Sequence, residues 1–129
     1  MKSQSLNYKR IVIKAGTAVL TQGEEHSQLN EQNIKNLVEQ IISLMNSGYE
    51  IVLISSGAIA SGRDIIQNNL NNQNKRNIVS RQVLAAIGQS KLMNIYQESF
   101  EESGVYTAQT LLTSGDLSNR QSYLNIKNT

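Results

Sequence analysis

An α/β domain built on a parallel sheet with helices on its faces is the fold class that this 129-residue sequence predicts. Three observations predict it. Arg10 to Lys14 (RIVIK) and Glu50 to Ser55 (EIVLIS) are short, β-branched and almost wholly apolar, as strands covered on both faces of a parallel sheet are. Between them the apolar period changes from that of a strand to that of a helix. The resulting order, strand and helix in alternation, is the one that crossover connections between parallel strands require.

The first strand ends on Lys14-Ala15-Gly16-Thr17. In open parallel sheets, ligands gather at the carboxyl ends of the strands, where loops present free backbone N–H groups. Gly16 has no side chain to keep backbone amides from an anion, Thr17 offers a hydroxyl, and Lys14 leaves the strand as a point charge; these are the parts of a phosphate cradle. The spacing is neither GxxxxGK[ST] nor GxGxxG, so on residue type alone an ordinary strand end is the commoner reading.

The next element is a helix. Ile34, Leu37, Val38, Ile41, Leu44 and Met45 fall on one face, with Asn30 as its N-cap and Gly48 as its stop. The second strand then runs into Ser55-Ser56-Gly57-Ala58-Ile59-Ala60-Ser61-Gly62. Small residues here open a helix, so the Ser56 hydroxyl and the amides from Gly57 onward can receive a carboxylate. The alternative makes Ser55 or Ser56 an N-cap and the glycines a means of tight packing. Arg63 follows, either steering an anion or lying on the surface.

Gln67 to Asn77 (QNNLNNQNKRN) has one apolar residue and cannot offset its ordering entropy by burial, so it reads as a loop. A long helix is expected from about Ser80 to Ser103, with Val83, Leu84, Ile87, Leu92, Ile95 and Tyr96 inward. Gly88 inside it costs about 1 kcal/mol relative to Ala, which marks either close approach by another backbone or tolerated strain. Val105 to Thr113 is a weaker third strand. From Ser118 another helix begins, with Leu124 and Ile126 facing inward. A sheet of three strands is short of neighbours, so the chain is expected to be part of a larger domain, incomplete at its C-terminus.

Composition bounds the function. The chain has no Cys, so neither a disulfide framework nor a thiolate metal site is available, and a reducing, cytoplasmic location is the default. His26, the sole histidine, lies in a polar stretch and makes a poor metal ligand. Lys and Arg number 12 against 10 Asp and Glu, and the basic residues are scattered, which argues against a nucleic-acid surface. No apolar run is long enough to span a membrane.

Four stretches in one order and spacing carry a closer likeness: RIVIKAGTAVLT, IVLISSGAIASGR, RQVLAAIGQSKLMNIYQESFEESGVYTAQTLLT, and D-x-x-x-R-x-x-Y-L-N from Asp116 to Asn125. Over nearly all of Lys9 to Thr129 the sequence resembles the amino-terminal half of the glutamate 5-kinase family, within the amino acid kinase superfamily. The SSGAIASG loop and the AAIGQSKLM helix set it apart from the acetylglutamate, aspartate and carbamate kinases.

The resemblance implies an αβα sandwich of the amino acid kinase type. It also implies transfer of the ATP γ-phosphoryl to the side-chain carboxylate of L-glutamate, the first step of proline biosynthesis. Mg2+ would sit on the nucleotide, and the full-length enzyme would be a homo-oligomer. By the same likeness Lys14 contacts the ATP phosphates and steadies the transferring group, Gly16 and Thr17 line the phosphate loop, and Ser56 with Gly57 binds glutamate. Departures are Ser114-Gly115 where the family tends to have Arg, the Asn/Gln tract where it has prolines, and Ala15 where a larger apolar residue is common. Residues that complete the family's glutamate and adenine sites are expected beyond Thr129, so the 129-residue chain alone is expected to lack turnover.

Overall fold

The computed structural model describes residues 9–23, 28–69 and 80–128. Strand β1 (Arg10–Ala15) pairs in parallel with β4 (Glu50–Ser55), Arg10 opposite Glu50 and Ala15 opposite Ser55. Between them lie a single-turn helix α1 (Thr17–Leu20), a small antiparallel pair β2 (Thr21–Gln22) and β3 (Gln28–Leu29), and helix α2 (Glu31–Asn46). Helices α3 (Ala58–Asn69), α4 (Arg81–Glu101), α5 (Ser114–Ser118) and α6 (Arg120–Asn128) follow. No helix among the described residues is long and apolar enough to cross a membrane.

The strand pair divides its side chains by the two-residue period. Ile13, Ile51 and Leu53 point into the core, where they meet Ile34, Val38 and Ile41 of α2 and Leu92, Ile95, Tyr96 and Phe100 of α4. The opposite face is open: Val12 is 60% exposed, Val52 44% and Ile54 50%. Both faces were expected to be covered, but the described helices that meet the sheet lie on one side only. At the amino ends of the strands, Lys9 (2.8 Å) and Arg10 (2.9 Å) both grip the exposed Glu50 carboxylate. Lys9 above all, and then Arg10, holds that carboxyl below its ordinary range.

Helix α2 starts where its cap predicts, the Asn33 N–H donating to the Asn30 side chain at 3.0 Å. Ser80 caps α4 in the same way. Along α4, Leu84, Leu92, Ile95 and Tyr96 are buried as the pattern requires, whereas Val83 and Ile87 remain exposed because no described element covers that side. Gly88 settles its two readings in favour of close approach. A Cβ there would lie 3.0 Å from the Ala58 carbonyl carbon and nearer still to the Ala58 oxygen and the Gly62 nitrogen. One on Gly62 would strike the Leu84 backbone at 2.7 Å and less. Helices α3 and α4 therefore touch backbone to backbone, and the ion pair between Asp64 and Lys91 spans the same contact.

Two expectations need correction. Val105 to Thr113 is not a strand, because its backbone finds no ladder partner among the described residues, and Leu111 and Leu112 are exposed. The chain then forms α5 and α6, whose residues include none that is buried; Leu124 is exposed and only Ile126 is half-buried. Asp116 has a local role here. It closes a capping box with Thr113, whose hydroxyl (2.6 Å) and amide (2.8 Å) both donate to the carboxylate and hold it below its usual range. Of the Asn/Gln tract, Gln67–Asn69 continue α3, while the remainder, 70–77, lies outside the described residues, as does His26.

Candidate functional site

Because β1 and β4 are parallel neighbours in register, their two following loops emerge side by side at one end of the sheet. A backbone hydrogen bond ties them: the Ser56 N–H donates to the Ala15 carbonyl at 2.9 Å. Gly57 follows with φ +105°, a left-handed conformation that a β-carbon would strain, and its carbonyl receives the Ser61 N–H at 2.9 Å as α3 begins. Leu20 and Leu29 lie beneath Gly57, so the turn sits on buried side chains of the first loop and the small hairpin.

An open cleft of about 490 Å³ occupies this end. Thr17, Ser55, Ser56 and Gly57 form its strand-end wall, Ala58, Ile59, Ala60 and Arg63 of α3 a second, and Arg81 and Ala85 of α4 a third. Three of the sequence-predicted site residues, Thr17, Ser56 and Gly57, thus meet in one depression. Lys14 and Gly16 do not line it. Lys14 is exposed beside Ile54 on the open face of the sheet, and Gly16 is the N-cap residue of α1. Among the described residues no group of three or more His, Cys, Asp and Glu gathers to hold a metal ion.

Tyr96 and Arg81 are neighbours of the site that sequence reasoning did not assign to it. The Tyr96 hydroxyl lies 2.8 Å from Ser55 Oγ. Ser55 Oγ also lies 3.0 Å from the Ser56 carbonyl, and either hydroxyl can donate between Ser55 and Tyr96. A core residue of α4 therefore fixes the loop that carries Ser56. Burial pushes the Tyr96 phenol above the ordinary value of 10.0, and the Ser55 hydrogen bond opposes this only in part. The unfolded chain consequently ionises first, so the stability Tyr96 contributes is whole below about pH 10 and falls as pH rises beyond it. Tyr96→Phe is expected to cost about 1 kcal/mol at neutral pH and to lessen the alkaline loss, as measured by urea unfolding at both pH values. An unchanged midpoint at neutral pH would show that the hydrogen bond contributes nothing.

Arg63, which admitted two readings, lines the cleft. The Arg81 signal was invisible because nothing local distinguishes a cation at the first turn of a helix; only the α3–α4 crossing brings it to the loop.

The chain is 48% identical over 122 residues to a glutamate 5-kinase of Dehalococcoides mccartyi strain CBDB1, covering 95% of this chain and 31% of that protein. It is 45% identical over 123 residues to the enzyme of that name from Syntrophus aciditrophicus, with 95% and 30% covered. For the Chlorobaculum tepidum protein of the same name the figures are 40% over 127 residues, 98% and 34%. The chain spans about a third of the length of these curated relatives. Among solved structures, carbamate kinase from Giardia has the same fold, with a TM-score of 0.53 at 18% identity over 76% of this chain and 34% of that one. Residues 9–129 match the Amino acid kinase family as a whole. With the strand-end loops, the parallel pair and this match over nearly its whole length, the chain belongs to the amino acid kinase family.

Proposed function

We propose that this chain supplies the acceptor cleft and the first phosphate loop of an ATP-dependent glutamate 5-kinase. A side-chain carboxylate oxygen of L-glutamate attacks the γ-phosphorus of ATP, the bond from that phosphorus to the bridging oxygen breaks, and glutamyl 5-phosphate and ADP result. The observation that carries this reading is the union of two strand-end loops: one bears Lys14, Gly16 and Thr17, the other Ser56 and Gly57, and one backbone hydrogen bond joins them beside an open cleft of about 490 Å³.

The chemistry asks little more of the protein. Phosphoryl transfer depends on alignment and on balancing negative charge, and the acceptor carboxylate is already ionised at pH 7, so no general base is needed. Lys14 meets the ATP phosphates and balances charge on the transferring group; Gly16 and Thr17 shape the loop around them. Ser56 and the Gly57 turn receive glutamate. Mg2+ arrives on the nucleotide phosphates. The full-length enzyme works in the cytoplasm as a homo-oligomer and feeds proline biosynthesis.

The test is a graft. This chain replaces the matching third of the Dehalococcoides mccartyi glutamate 5-kinase, and ADP release is followed with L-glutamate and other carboxylates as acceptors. Glutamate-dependent turnover supports the reading; preference for a different carboxylate or carbamate assigns another acceptor. The 129-residue chain by itself is expected to release no ADP, since the apolar face around Val12, Val52 and Ile54 stands uncovered beside Lys14.

Gly16 offers a separate check. A Cβ there meets nothing within 4 Å and the backbone is at φ −79°, so Gly16→Ala is expected to change stability by about 0.5 kcal/mol or less. In the graft it should nonetheless raise the KM for ATP several-fold, because the space it fills is where phosphate oxygens approach the backbone. An unaltered KM would remove Gly16 from the phosphate loop.

A further inference from the structure

We infer that Arg63 and Arg81 form a clamp for the carboxylate that does not react, so that the cleft selects acceptors bearing two carboxylates. The inference rests on the acceptor reading above and assigns the α-carboxylate of the substrate to these two side chains.

The two cations come from different helices onto one cleft. Arg63 and Ile59 lie one turn apart on α3, and Arg81 and Ala85 one turn apart on α4; all four line the depression. Each helix thus contributes an arginine and an apolar residue to the same lining. Arg63 is half-buried and Arg81 exposed. Among the described residues neither guanidinium is ion-paired, in contrast to Arg10, Lys9 and Lys91. The neighbouring carboxylate, Asp64, is held by Lys91 on the other helix.

The helices that carry the pair are in direct contact. The glycine contact sets the close spacing of α3 and α4, and the Asp64–Lys91 ion pair bridges them. Two arginines carried on helices that touch backbone to backbone can bind one carboxylate through paired N–H donors. Ala58, Ile59, Ala60 and Ala85 supply apolar surface suited to the carbon stem of the same ligand. Nucleotide phosphate is the competing anion, but Lys14 and Gly16 stand outside this cleft, which Arg63 and Arg81 line.

Calorimetric titration of the 129-residue chain tests the clamp without requiring catalysis. The ligands are L-glutamate, glutarate, which keeps both carboxylates, 4-aminobutyrate, which lacks the α-carboxylate, and MgATP. The wild-type chain is expected to bind glutamate and glutarate saturably. Arg63→Gln and Arg81→Gln should each weaken both by about tenfold to a hundredfold, leaving 4-aminobutyrate and MgATP unchanged. Arg63→Lys should fall between, keeping the charge but losing the fork. Equal losses on glutamate and 4-aminobutyrate would overturn the clamp, as would unchanged glutamate affinity, a loss confined to MgATP, or no glutamate binding by the wild-type chain. Turnover by the graft judges the kinase reading separately. An inactive graft with two-carboxylate selectivity removes that reading and leaves the clamp standing; an active graft with indifferent arginine variants does the reverse.

Discussion

Gly88→Ala is expected to destabilise the chain by about 3 kcal/mol, the upper part of the usual range for overpacking. The sign is informative because helix propensity points the other way. In an uncrowded helix interior the same change would stabilise by about 1 kcal/mol. Here the added carbon has no flexible side chain to displace; the Ala58 carbonyl and the Gly62 amide stand in its place, and both belong to α3 backbone. Relief requires α3 and α4 to separate, which would also part Arg63 from Arg81. Urea unfolding of Gly88→Ala and Gly62→Ala, singly and combined, measures the effect. Once the helices have moved apart the second methyl meets less resistance, so the pair should cost clearly less than the sum. Stabilisation by either single change would refute the backbone contact.

Lys14→Ala in the graft is expected to lower kcat by about a hundredfold to a thousandfold, the magnitude found when one preorganised charge-stabilising group is removed. Stability should hardly change, since Lys14 is exposed and makes no ion pair among the described residues. That separation of activity from folding distinguishes a phosphate ligand from a structural lysine. Its surroundings favour a large effect, because Val12, Val52 and Ile54 share its sheet face and a cation ringed by apolar side chains acts through a weaker dielectric once that face is covered. Turnover equal to that of the unmutated graft would remove Lys14 from the mechanism.

The elements most legible in the sequence were those whose instructions are local. Asn30 announced the start of α2, the apolar period placed α4 from about Ser80, and the β-branched runs marked β1 and β4 with their carboxyl-end loops. That Thr17, Ser56 and Gly57 would lie together at one end of the sheet was legible for the same reason, since parallel strands bring their following loops together. What the sequence hid depends on partners distant in the chain. Val105 to Thr113 has strand-like composition, but a strand exists only when a neighbour completes its hydrogen bonds. Tyr96 reads as another core aromatic until its hydroxyl meets Ser55, 41 residues away. Arg81 becomes a cleft residue only through two glycines that let α3 and α4 close. Val83, Ile87 and Leu124 show the converse, with apolar periodicity present and no described surface to receive it.

The hydrogen bond from the Ser56 amide to the Ala15 carbonyl has a thermodynamic corollary. It joins the end of β1 to the loop after β4, so neither segment shifts without displacing the other. If seating a nucleotide against the first segment draws the second toward its productive position, affinity for the acceptor rises, and reciprocity obliges the acceptor to tighten nucleotide binding by the same factor. One peptide group would then carry the mutual free energy of two ligands. Hydrogen exchange at the Ser56 amide, slowed by either ligand and slowed further by both, would read that shared quantity at a single proton.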